Sequence, residues 1–159
     1  MTFILASDGR DNDPDDAFRR YSEYLESSKE SFPPGAYALA ASDWYHNFND
    51  HRSPHDAWLE SCEISEWSLG DRSERRGLEL KVRLLGAYQD GHIELTYPNV
   101  VAYLFNVEGG EKGHQDWRYD ELRISDDGRL IHEIEWRGLR RTGHWLIEAS
   151  DVKFQWLPK

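Results

Sequence analysis

Gly77-Leu-Glu-Leu-Lys-Val-Arg-Leu-Leu-Gly-Ala-Tyr-Gln-Asp-Gly-His-Ile-Glu-Leu-Thr-Tyr97 decides the fold. Leu78, Leu80, Val82 and Leu84 alternate with Glu79, Lys81 and Arg83, the period of two that marks a strand buried on one face. Asp90-Gly91 is the pair a two-residue type I′ turn prefers, because both central positions need positive φ. Such a loop sets Tyr88 opposite Ile93, Gly86 opposite Leu95 and Leu84 opposite Tyr97. Directly opposed residues share a face, so both apolar stripes fall on one side of the predicted ribbon.

Outward from this hairpin, the carboxy-terminal text is strand after strand. Trp58–Trp67 precedes it, and Val100–Val107 follows Pro98-Asn99, which breaks the ladder because proline lacks a donor. Trp117–Ser125 and Arg129–Arg137 flank a second Asp-Gly, at Asp127-Gly128. Here a two-residue loop fails, since it sends Leu122 and Ile124 to the face opposite Leu130 and Ile134. A three-residue loop, Asp126-Asp127-Gly128 with Gly128 left-handed, pairs Ile124 with Leu130 and reunites the stripe. In the last segment, Trp145, Ile147 and Ala149 give way to Val152, Phe154 and Trp156, so a bulge or corner is expected at Ser150-Asp151.

The amino-terminal part reads differently. Asp13 is a good N-cap, Pro14 suits the first helical position, and Asp15 and Asp16 complement the dipole of a helix running to about Ser28. That helix buries Phe18, Tyr21 and Leu25. The acidic run resembles a calcium loop only in its first positions, because its sixth and twelfth residues are Asp16 and Ser22 rather than Gly and Glu. Phe32-Pro33-Pro34-Gly35 ends the helix, and Ala36–Tyr45 predicts a second, short one. The expected fold is therefore α+β in a single domain spanning 1–159. One or two helices within about 1–55 pack on a strongly twisted antiparallel meander of about six strands over 57–157.

Charge and composition limit the function. The 159 residues carry a net charge of −11, with 31% charged and 13% aromatic residues including seven Trp and eight Tyr. A negative field of this size opposes nucleic acid and anionic membrane, and serves either solubility, the simpler reading, or attraction of a basic protein. Cys62 is the single cysteine, no basic flank precedes the short apolar start, and no stretch is long enough to span a bilayer. A cytoplasmic protein is expected.

Candidate residues are few. His51 and His55 have the i,i+4 spacing of a zinc-binding helix, but Pro54 lies between them and the catalytic Glu is missing, so the pair with Asp56 reads as a turn. His132 falls on the apolar face opposite Leu122, a place for a satisfied core histidine. The other face sets Glu121 beside Glu133, with Glu135 nearby, and such like charges call for a cation such as Arg123 or Arg137. No phosphate loop, nucleophile elbow or dinucleotide fingerprint occurs, and no cofactor or metal site is expected.

Pro54-His55-Asp56-Ala57-Trp58-Leu59-Glu60, followed by Ile93-Glu-Leu95-Thr-Tyr97-Pro-Asn-Val100, resembles a set of small bacterial domains over residues 54–107. In these a His-Asp-x-x-Leu turn precedes an antiparallel meander, and some are immunity proteins of toxin systems. The resemblance implies a non-catalytic module that neutralises a protein, with His55-Asp56 as a conformational fixture. On this reading the binding surface draws on residues 8–16, Glu121, Glu133 and Glu135, with Trp44 and Trp58 as aromatic anchors. The alternative is a small enzyme or ligand- or metal-binding domain with a pocket near His51, His55 and Asp56.

Overall fold

Leu80, Val82 and Leu84 are fully buried beside Ile93, Leu95 and Tyr97, so the central hairpin presents the expected face to the core. Its register differs. In the computed structural model, which describes residues 1–110 and 112–159, Leu84 pairs with Ile93 and Leu80 with Tyr97. The loop is longer, Ala87–Asp90, closed by Gly86 N–H to Gly91 O at 3.0 Å, and Gln89 supplies its left-handed residue at φ 59°. Gly91 is not a turn glycine. A β-carbon there would lie 2.2 Å from the Trp156 indole, and one on Gly86 3.2 Å from the same ring. The two glycines face each other so that Trp156 can lie across them, and the loop takes Ala87–Gln89 from the first arm and returns Gly91 to the second, which moves each partner by four residues. An even slip preserves the faces.

The architecture is α+β, with helices first: α1 (Ser7–Asn12), α2 (Pro14–Ser28) and α3 (Pro34–Ala40). Asp13 caps α2 as expected, accepting from Asp16 N–H at 3.0 Å. Eight strands follow: β1 (Trp58–Leu69), β2 (Arg75–Leu85), β3 (Gly91–Val100), β4 (Ala102–Asn106), β5 (Asp116–Ile124), β6 (Leu130–Arg137), β7 (Thr142–Ala149) and β8 (Lys153–Pro158). They form two antiparallel sheets, β1-β2-β3-β8 and β4-β7-β6-β5, and not the single meander of about six strands expected from sequence. The reason is a bent ribbon. β3 continues through Val101 into β4, and β7 through 150–152 into β8, so that β3 pairs with β8 in one sheet and β4 with β7 in the other. The parity change at Ser150-Asp151 is this corner, where strands switch sheets. Asn99, left-handed at φ 49°, and Ser150 N–H to Pro98 O at 3.1 Å hold the bend.

The second hairpin is as expected: Ile124 pairs with Leu130, Leu122 with His132, and Gly128 is left-handed at φ 75°. A bulge between Trp117 and Tyr119 shifts parity within β5, so Trp117, Asp120 and Leu122 all point inward. The helices close the open side. Tyr21 Oη both donates to Leu122 O (2.8 Å) and accepts from Leu122 N–H (3.0 Å), standing in for a neighbouring strand, and Tyr24 Oη accepts from Ile124 N–H at 2.9 Å. At the corner, Asp151 accepts from Gly35 N–H (3.0 Å) and Ala36 N–H (2.8 Å), capping the start of α3. Among the described residues, no helix is long and apolar enough to cross a membrane.

Candidate binding groove and the polar chain behind it

α2 and the end of α3 stand apart far enough to leave an open groove of about 430 Å³. Its accessible lining is mixed and more polar than apolar: Tyr21, Leu25 and Ala40 lie buried at its floor, and the part-buried Phe18 and Tyr37 share the walls with Ser22 and Ser42. Its exposed rim carries Glu26 and Asp43, and no lysine or arginine lines it. Lys29 sits 5.8 Å over the Tyr37 ring, which therefore already receives a cation.

His46 is the one titratable base in the groove lining, and its side chain is 16% exposed. Its ring meets those of Phe18, Tyr21 and Tyr45 edge-on. Nε2 lies 3.3 Å from Asp120 O; a carbonyl only accepts, so Nε2 carries the proton. Burial pulls the His46 pKa below the usual value, against the opposing pull of Asp120.

Behind His46 runs a sealed polar chain. The Asp120 carboxylate accepts from Tyr45 O–H (2.7 Å), Trp117 Nε1–H (3.1 Å) and His132 Nε2–H (2.8 Å), and His132 Nδ1 meets Tyr97 Oη at 2.8 Å. Burial pushes the Asp120 pKa up, yet the hydrogen bond and charge of His132, with His46 and Tyr45, hold it below the usual carboxylate value. Burial drives the Tyr45 and Tyr97 phenols well above theirs. Tyr97 and His132 have no exposed surface and Asp120 is 2% exposed, so no substrate can reach this Asp-His-Tyr chain. It is a strut, tying Tyr97 of one sheet to His132 and Asp120 of the other and to the 41–57 connection.

The residues singled out from sequence scatter. His51 pairs with Asp90 at 2.5 Å and stacks on Tyr88 at 4.0 Å, locking the β2–β3 loop to the 46–56 segment. His55 stacks on Phe48 at 3.6 Å and donates from Nδ1 to Arg118 O at 2.6 Å. Asp56, left-handed at φ 62°, takes Arg118 Nη1–H at 2.6 Å and donates its N–H to Trp117 O at 2.7 Å. His55 and Asp56 thus clasp the outer edge of β5, and neither they nor His51 line the groove. Among the described residues, no cluster of three or more His, Cys, Asp or Glu could hold a metal ion. Trp44 packs on Phe154 with Arg52 stacked 4.6 Å above it, whereas Trp58 is 52% exposed.

The glutamate face is not open either. Glu121 does oppose Glu133, but it is fully buried: residues Phe3, Ile4 and Leu5 cross it and donate their N–H groups at 2.6–3.2 Å. Arg123 bridges Glu121 at 3.0 Å and also pairs with Glu133, the role expected of it. Glu133 further meets His144 at 3.0 Å, and Glu135 holds the buried Arg10 at 3.3 Å. Glu121 therefore anchors the chain's own amino terminus.

Sequence reasoning missed Asp120, Tyr45, Tyr97 and His46. The signal for Asp120 was present: with Ile124 opposite Leu130, an aspartate lies on the apolar stripe two residues before Leu122, within diagonal reach of His132. No protein-family model matches the chain, and no curated protein or solved structure is significantly similar to it.

Proposed function

We propose that this protein is a non-catalytic binding module of the cytoplasm that neutralises a basic protein by receiving a cationic segment in the α2–α3 groove, as an immunity-type protein would. The groove carries the reading: a mixed lining that includes Phe18 and Tyr37, under a rim whose charged residues, Glu26 and Asp43, are both acidic. The part-buried Phe18 ring offers apolar surface to the stem of an Arg or Lys side chain, and the rim carboxylates draw and orient its charge. The net charge of −11 adds long-range attraction for a partner of opposite sign. Supporting the non-catalytic part is the placement of the Asp120–His132–Tyr97 chain, whose geometry could move a proton but which lies out of reach of any ligand.

The test is affinity capture from the source cell with the wild-type chain and with the double variant Glu26→Lys/Asp43→Lys as parallel baits. A basic protein retained by the wild type at low salt, released by added salt and absent from the variant is the expected result. Equal retention by both baits sinks the groove as the binding surface.

A further inference from the structure

Three of the four sheet edges are short or occupied. β4 has five residues, β8 has six and ends on Pro158, and the outer groups of β5 are taken by Tyr21, Tyr24, His55 and Ala57. β1 is different. It runs for twelve residues, and beyond Ala57 nothing among the described residues takes up the backbone groups on its outer side. Trp58, Ile64, Trp67 and Leu69 along it are 39–55% exposed. A long, apolar, unpaired edge is a template for another strand.

Edges of this kind are ordinarily guarded by charge. The glutamates of β1 guard it poorly, because β2 places a basic residue beside each of them from within the sheet. Glu60 meets Arg83 at 3.0 Å and His92 at 2.9 Å, Glu66 meets Arg76 at 3.3 Å, and Glu63 stands opposite Lys81. A basic foreign strand would therefore find Glu60 and Glu66 already paired, with Glu63 alone left to receive a cation.

We propose that β1 pairs antiparallel with β1 of a second copy of this chain, joining two sheets edge to edge about a two-fold axis at Ile64. The register follows from symmetry. Opposed residues share a face, so in a two-fold antiparallel pair the axis passes through a residue that faces its own copy. The midpoint of Trp58–Leu69 lies between Glu63 and Ile64, leaving two registers of nearly full overlap. An axis at Glu63 sets that carboxylate against itself and Glu60 against Glu66, which is repulsive. An axis at Ile64 sets Ile64 on Ile64, Glu63 on Ser65, Cys62 on Glu66 and Ser61 on Trp67, with no acid facing an acid. The bulge between Leu59 and Ser61 ends regular pairing there, so the joint is Ser61–Trp67. It shares no residue with the α2–α3 groove.

Sedimentation equilibrium of the full chain across the micromolar range tests this. A reversible monomer–dimer equilibrium is expected. Ile64→Lys, at a position 40% exposed, brings two like charges together at the axis and weakens the dimer by about tenfold or more, while the circular dichroism stays native. Ser65→Lys gives each Glu63 a cation across the axis and tightens it several-fold, and this second variant decides the matter if the first misfolds. A wild type monomeric throughout, a folded Ile64→Lys dimer of unchanged affinity, or a Ser65→Lys dimer that is no tighter overturns the proposal.

Discussion

Asp120 and Glu121 are consecutive residues on β5, both acidic and both buried, yet they point to opposite faces and are satisfied by unlike means. Asp120 faces the core and takes its hydrogen bonds from side chains of three separate elements: Tyr45, Trp117 and His132. Glu121 faces outward and takes its bonds from the backbone of Phe3, Ile4 and Leu5 and from Arg123. The first carboxylate ties the 41–57 connection to its own sheet and fixes the His132 ring that meets Tyr97 of the other. The second holds down a terminal segment that is otherwise fixed by the buried Ile4 side chain, by Arg10 on Ile4 O and by Phe3 against Tyr24. A buried charge thus acts on whatever supplies its donors, and the consequence of removing it depends on how much of the molecule those donors belong to.

That difference can be broken or sharpened by experiment. Asp120→Ala strands the donors of His132, Tyr45 and Trp117 in the core, and urea unfolding should show a global loss of about 3–5 kcal/mol. Glu121→Gln keeps its shape but removes the charge from three N–H donors, for about 1–3 kcal/mol. Here the loss should be local: amides of Phe3–Leu5 exchange rapidly while those of β5 and β6 remain protected. Exchange that rises uniformly would erase the distinction drawn between the two sites. Tyr21→Phe strips the stand-in strand partner from Leu122 and should cost about 1 kcal/mol, read as a small drop in Tm.

Two pH effects follow, with opposite places in the molecule. The Asp120 pKa is held below its ordinary 3.8, so its ionised form favours the folded state. That contribution is complete above the unfolded value and is lost as pH falls through the folded one; acid unfolding curves of Asp120→Asn should lack this limb. His46 has its pKa lowered from 6.5, so the fold favours its neutral form. Stability from that source is full above about pH 6.5 and declines on acidification, and each protonated His46 adds a positive charge beneath the groove. Affinity for a cationic partner should therefore weaken toward acid pH in the wild type and less so in His46→Gln, as calorimetric titration would show.

Much of the sheet could be read from alternation alone. The second hairpin came out whole because only one loop length kept Ile124, Leu130 and Ile134 on a common face. The first hairpin kept its face but lost its register, since a pairing shifted by four residues has the same parity. What chose between them was Trp156, far away in sequence, lying across Gly86 and Gly91. The number of sheets was hidden for a similar reason: the β3–β4 and β7–β8 bends look locally like a proline break and a parity slip. The groove was not legible, because it lies between two helices whose separation depends on packing against β5 and on Asp151. Nor could a carboxylate such as Glu121 be seen to be buried, when its cover is the first five residues of the chain.

The cap on α3 carries a consequence for how the chain is made. Residues Gly35 and Ala36 are held by Asp151, 116 and 115 positions later, and α2 leans on Leu122 and Ile124, 101 and 100 positions later. The helices are synthesised about 100 residues or more before the groups that anchor them, and contacts so distant in sequence close slowly. During translation the amino-terminal part must wait with its aromatic side uncovered until the final ribbon arrives. A nascent chain arrested before Asp151 should accordingly leave α2 and α3 open to protease, and extension through β8 should close them.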